Sequence, residues 1–256
     1  MALLEITGLR RSFYGIAALD GVELEVAAGS ITGLIGPNGA GKTTLFNCIS
    51  GLVPPQSGRV RFDGADITGW RPDRITRRGL VRTFQIARGF PRLSVMENLL
   101  LYGGAQPGER LLPALCRAPA SRRREAALRE RARAIAGRLN LRRVLDNPAA
   151  ALSGGQKKLL EIGRALMTDP KLILLDEPIA GINPALAEEI AAHLEGLRAD
   201  GLSFLVIEHH MDMMAKLCDP VIVMAAGRRL RQGSFAEVAA DAEVQEAYMG
   251  RRQWAS

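Results

Sequence analysis

Five short runs of mostly apolar residues recur along the chain, at 31–35, 80–84, 172–175, 203–207 and 221–224. Runs of this length suit strands buried on both faces of a parallel sheet. Helical stretches lie among them. Residues 45–50 close at Gly51, residues 72–79 form a short exposed helix, and Asn183-Pro184 supplies an N-cap and first helical position. Ser153 opens a helix whose Leu159, Ile162 and Leu166 share one face. Strands in alternation with helices predict an α/β fold.

The first thirty residues follow another rule. Residues 3–9 and 22–26 alternate in part, with turns expected at Asp20-Gly21 and Gly29-Ser30. Residues 59–62 alternate up to an Asp63-Gly64 turn. An antiparallel β-subdomain is therefore expected at the N-terminus. Near the other end, 221–224 and 228–231 form a hairpin about Ala226-Gly227, and a short helical tail follows.

Residues 86–150 differ in character. Met96-Glu97-Asn98 begins a helix, and Gly103, Gly104, Pro107, Gly108, Pro113 and Pro119 make a loose stretch. From 121 to 140 a helix dense in arginine carries Leu128, Ala132, Ile135 and Leu139 at spacings of 4, 3 and 4, one apolar stripe. Its arginines read as a solvated face, with phospholipid headgroups or nucleic acid as the other options. Arg122-Arg123-Arg124 without interleaved aromatics is a poor pattern for reading bases.

Composition narrows the classes. A chain of 256 residues suits one large domain, or one with a subdomain. Aromatic residues make up only 5%, so the core is aliphatic. A net charge of +7 makes nucleic acid or an anionic membrane surface candidate partners. Cys48, Cys116 and Cys218 are odd in number and far apart, which argues for a reducing compartment and against a metal site. The N-terminus lacks the pattern of a signal peptide, and no window has the apolar length of a bilayer span.

The chemistry concentrates in two motifs and two strand ends. Gly36-Pro37-Asn38-Gly39-Ala40-Gly41-Lys42-Thr43-Thr44, between a strand and a helix, matches the phosphate-cradling P-loop. Lys42 can reach the β- and γ-phosphates, and the Thr43 hydroxyl can ligate Mg²⁺. Leu152-Ser153-Gly154-Gly155-Gln156 is the second motif. Ser153 with Gln156 fits a capping box, whereas two glycines in a first helical turn suit close approach of a backbone or phosphate. The run at 172–175 ends in Asp176-Glu177. In a P-loop protein Asp176 suits the Mg²⁺ shell, and Glu177 can polarise a water for attack on the γ-phosphate. The run at 203–207 ends in Glu208-His209-His210, with His209 placed to sense phosphate. Gln85 follows the 80–84 run, and Phe13 and Tyr14 are either hairpin aromatics or a platform for a nucleobase.

In this order, the P-loop, Gln85, the Leu-Ser-Gly-Gly-Gln signature, the Asp-Glu strand and the strand-end histidine resemble the nucleotide-binding subunit of ABC transporters. The resemblance covers nearly the whole chain. It implies a P-loop NTPase core over 1–85 and 168–235, with its antiparallel β-subdomain, a helical signature subdomain over 86–167, and a tail over 236–256. It implies ATP as substrate, Phe13 as the adenine-stacking aromatic, Gln85 as a contact to Mg²⁺ and to a transmembrane permease, Glu177 as general base and His209 as the switch histidine. Ser153, Gly154, Gly155 and Gln156 would clasp the γ-phosphate of ATP held by a second ATP-binding subunit. Pro178 to Pro184, Ile207-Glu208-His209 and Ala247-Tyr248-Met249-Gly250 resemble the LivG-like subfamily, which energises branched-chain amino acid uptake. That implies a peripheral protein on the cytoplasmic face of the inner membrane, served indirectly by a periplasmic solute-binding protein. Motors for lipopolysaccharide export, and soluble ABC ATPases acting on nucleic acid, are the alternatives. His210 stands where the family commonly has an acid.

Overall fold

The structure is a computed structural model, and it describes residues 2–83, 90–104 and 119–249. These residues form two compact units. One comprises 2–82, 171–180 and 194–249, and the other the remaining described residues up to 193.

The first unit opens with two long strands, β1 (Ala2–Phe13) and β2 (Ile16–Ala27). Phe13 pairs with Ile16, so Tyr14 and Gly15, both at positive φ, make the two-residue hairpin turn. The turn expected at Asp20-Gly21 is instead part of β2. Leu9 pairs with Val22 and Arg10 with Asp20, which leaves Gly21 as the extra residue of a bulge, at φ 75°. Asp20 there meets the guanidinium groups of Arg10 and Arg228. Strands β4 (Ser57–Phe62) and β5 (Ala65–Asp66) complete an antiparallel sheet of order β2-β1-β4-β5.

The second sheet has the order β10-β9-β3-β8-β7-β6. It is built from β3 (Ile31–Ile35), β6 (Leu80–Arg82), β7 (Leu172–Asp176), β8 (Ser203–Ile207), β9 (Val221–Ala225) and β10 (Arg228–Gly233). All pairings are parallel except β9 with β10. Every residue of β3, β7 and β8 is buried, which explains their mostly apolar runs.

Helix α1 (Lys42–Ile49) packs Leu45, Phe46 and Ile49 into a core shared with Leu4 and Phe62 of the first sheet and Leu34 and Leu174 of the second. All seven are wholly buried. Truncating a side chain such as Phe46 to alanine there costs about 3–5 kcal/mol. Short helix α2 (Pro72–Arg77) starts on its proline and leads into β6.

The second unit contains α3 (Val95–Leu100), α4 (Pro119–Arg138) and α5 (Gly154–Leu166). Leu128, Ala132 and Leu139 of the expected stripe are buried, and Ala136 joins them while Ile135 is half-exposed. Several arginines of α4 pair with acids: Arg129 with Glu125, Arg133 with Glu130, and Arg131 with Asp169. At these three positions the face is ion-paired. Helix α6 (Pro184–Ala199) begins as expected, with Asn183 Oδ1 accepting from the Leu186 amide at 2.9 Å. Helices α7 (Met211–Leu217), α8 (Phe235–Ala240) and α9 (Ala242–Met249) complete the described residues. No helix among the described residues is long and apolar enough to cross a membrane.

Candidate active site

Because β3, β6, β7 and β8 run parallel, their carboxyl ends meet at one edge of the sheet, where ligands gather in open α/β folds. From β3 the chain turns through residues 36–41 into α1. Gly41 sits at φ 102°, and a Cβ there would lie 2.4 Å from the Ala18 carbonyl, so only glycine fits. No side chain caps α1, and its first turn carries no acid. The positive end of the helix therefore faces outward beside its first amides.

A cavity of about 280 Å³ opens at this end of the helix. Residues 38–44 form one wall, and Ala18, Asp176, Glu177, Ile207 and His209 form the rest. Lys42 is buried, its Nζ donating to the carbonyl oxygens of Gly36 at 2.6 Å and Pro37 at 3.2 Å. Glu177, the residue after β7, has φ 51°, a conformation that costs energy in a non-glycine residue and collects at functional sites. Its Oε1 lies 3.2 Å from His209 Nε2. The P-loop, Asp176, Glu177 and His209 are thus brought together. Phe13 is not in the cavity wall. It stands partly exposed at the hairpin tip, with the Arg11 guanidinium 4.8 Å from its ring centre. Gln85 lies outside the described residues.

Among the described residues no cluster of histidine, cysteine or acid side chains could hold a metal by itself. Thr43 and Asp176 offer hard oxygen donors on the same cavity, the class Mg²⁺ prefers when phosphate oxygens complete its shell. The residues fit an ion that arrives with a nucleotide.

Two buried charges to which the motifs gave no role shape this edge. Arg82 ends β6 and donates to Asp176 Oδ2 at 3.0 Å and to Asn47 Oδ1 at 2.6 Å. Glu208 follows β8 and is 2% exposed. The available signal was a charge inside or closing an apolar run, since a buried charge needs a partner.

In the second unit, Ser153 Oγ accepts from the Gln156 amide while the Gln156 side chain accepts from the Ser153 amide, a complete capping box. A Cβ on Gly155 would lie 2.1 Å from a Leu186 methyl group, so a side chain there would make Leu186 shift. A Cβ on Gly154 would meet nothing within 4 Å.

The family model described as ABC transporter matches residues 19–180. The chain belongs to the ABC transporter family. Within it the chain is an ATP-hydrolysing cassette. It is 42% identical to a probable branched-chain amino acid transport ATP-binding protein LivG of Methanocaldococcus jannaschii, covering 98% of each chain. It is 37% identical to the high-affinity branched-chain amino acid transport ATP-binding protein BraF of Pseudomonas aeruginosa, covering 97% of this chain and 98% of that one. A crystal structure of an ABC-transporter cassette in its ADP conformation superposes with a TM-score of 0.85 at 41% identity, over 98% of this chain and 99% of the other. A dimeric, post-hydrolysis cassette bound to ADP and phosphate superposes with a TM-score of 0.74 at 26% identity, over 91% of this chain and 98% of the other.

Proposed function

We propose that the chain powers import of branched-chain amino acids, or of a related amino acid, amide or urea, by hydrolysing ATP on the cytoplasmic face of the membrane. The observation that supports this best is the convergence of Lys42, Asp176, Glu177 and His209 on one cavity. The relatives' names supply the solute class.

In this reading the triphosphate lies along residues 36–44, and Lys42 exchanges the Gly36 and Pro37 carbonyls for phosphate oxygens. Thr43, Asp176 and Gln85 would hold Mg²⁺, which would supply positive charge to offset that of the β- and γ-phosphates. Glu177 takes a proton from the attacking water as its oxygen bonds to the γ-phosphorus. The bond from that phosphorus to the bridging oxygen breaks, leaving ADP and phosphate. His209, now 3.2 Å from Glu177, turns its Nε2–H to the γ-phosphate and releases the base. Phe13 stacks on adenine.

Ser153 to Gln156 serve the ATP of a second subunit, homologous or identical. The capping box is compatible with that role. It uses the Ser153 oxygen as an acceptor and leaves its hydroxyl hydrogen to donate to phosphate. The helical unit docks on a transmembrane permease, and a solute-binding protein outside the membrane selects the cargo.

Glu177→Gln is the decisive variant. Hydrolysis is expected to fall about 100-fold or more while Mg²⁺-ATP still binds. Hydrolysis retained, or binding lost along with it, counts against the site. Co-purification with the permease, followed by leucine and urea uptake into proteoliposomes, tests the solute. Uptake of neither overturns that part.

A further inference from the structure

Glu208 is the one buried carboxylate at the nucleotide edge that the reading above leaves without a task. Its side chain is 2% exposed, and two amide donors and one histidine ring nitrogen lie within hydrogen-bond distance of it. Oε1 accepts from the Ile179 amide at 2.9 Å. Oε2 accepts from the His209 amide at 3.0 Å and lies 3.2 Å from His210 Nδ1.

These donors belong to the two segments that carry Glu177 and His209. The parallel ladder joins β7 to β8 as far as Asp176 with Ile207, and one further bond runs from the Glu177 amide to the Ile207 carbonyl at 2.9 Å. Beyond that point no ladder defines either chain. Glu177 is at positive φ, and its carbonyl accepts from the Ala180 amide at 3.2 Å, so residues 177–180 fold into a turn. The amide of Ile179, itself 5% exposed, is directed from that turn at Glu208.

We propose that Glu208 is a positioning residue for ATP hydrolysis: its carboxylate staples the turn after Glu177 to the backbone of His209 and holds base and histidine in register. This rests on the roles given above to Glu177 and His209. An ionised carboxylate accepts on both oxygens and donates nothing, so it alone among side chains of this size satisfies two opposed amides. Glutamine presents an NH₂ group to one of them and opens one arm of the staple. Alanine opens both. Neither change touches the P-loop or Lys42, so nucleotide binding is separate from the effect.

The test uses the full chain carrying Glu208→Gln, with Glu208→Ala beside it and Glu177→Gln and His209→Ala as references. ATP hydrolysis, Mg²⁺-ATP affinity and histidine side-chain NMR spectra are measured for each. The chain has three histidines, so His193 serves as an internal control distant in sequence. Glu208→Gln is expected to lower kcat about tenfold with the ATP dissociation constant within about twofold. The signals of His209 and His210 should shift while those of His193 stay. Wild-type kcat in Glu208→Gln overturns the inference. So does a parallel loss of ATP binding and of folded-state spectra, which would make Glu208 merely structural. If Glu208→Ala does not fold, the glutamine variant decides alone. If Glu177→Gln itself hydrolyses ATP normally, the reading of the whole site fails instead.

Discussion

Arg82 and Asp176 form an ion pair across the β6–β7 edge, Nη2 to Oδ2 at 3.0 Å, with side chains only 7% and 4% exposed. The same guanidinium holds Asn47 of α1 and lies 5.5 Å from the centre of the Phe46 ring. One side chain thus ties the P-loop helix to the strand that ends in the acids. Arg82→Met leaves a buried carboxylate without its cation and should lower stability by about 3–5 kcal/mol, read by chemical denaturation. Arg82→Lys keeps a charge but cannot reproduce the fork, so it should fall between the two. Equal stability of all three proteins would show that the pair carries no net weight.

Lys42 is held by two carbonyl oxygens of its own loop. Those bonds keep the ammonium buried and aimed along the cavity. Lys42→Met should weaken ATP binding about 10- to 100-fold, the worth of charge-assisted bonds to phosphate, while the fold persists. Isothermal titration with Mg²⁺-ATP measures it, and unchanged affinity would remove Lys42 from the site.

The two signature glycines should behave differently on substitution. Gly155→Ala forces a methyl group against Leu186 and should destabilise by about 1–3 kcal/mol. Gly154→Ala has room and should leave the melting temperature unchanged or slightly higher, because alanine favours the helix by up to about 1 kcal/mol. If phosphate from a second subunit approaches here, Gly154→Ala nevertheless loses hydrolysis. Full activity of that variant would argue against close approach.

Burial pushes the Cys48 thiol up to about 11 and the Cys218 thiol up to about 12. Both then stay protonated in the native state where an exposed thiol would ionise. The folded values lie above the ordinary 9.0, so this contribution to stability is complete below pH 9 and is lost as pH rises through 11 and 12. In a Cys116→Ser background, a thiol reagent at pH 8 should label neither residue until denaturant is added. Rapid labelling of the native protein would contradict the burial.

The buried strands were legible because strands covered on both faces draw on mostly apolar runs, although the 80–84 run yields a strand only over Leu80–Arg82 among the described residues. The P-loop and the signature were legible because each is contiguous, so spacing alone carries the geometry. The hairpin turn was misplaced. Asp20-Gly21 has turn composition, yet its glycine serves a bulge, and Tyr14-Gly15 does the turning. The second signature glycine was read as room for phosphate, and its close contact with Leu186 is a packing constraint that the motif did not announce. Arg82 with Asp176, and Glu208 with Ile179, lie 94 and 29 residues apart. Such pairs depend on which strands become neighbours, and sheet order is not written in local pattern. Phe13 stayed open for a related reason, since its worth depends on what lies across from an exposed ring.

Helix α1 begins on Gly41 with no serine, threonine or acid to close its first turn, although α3, α5 and α8 each carry a full serine capping box. A glycine at that position costs a helix only about a few tenths of a kcal/mol relative to serine, but it offers no side-chain acceptor to the first amides. Here the substrate itself can serve as the missing side chain. On the function proposed above, a bound phosphate would act as the helix's N-terminal residue in all but covalency, completing the first turn of α1. Occupancy of the site is then also completion of secondary structure. The amides of residues 42–44 should slow their hydrogen exchange on adding nucleotide ahead of any change elsewhere in the chain.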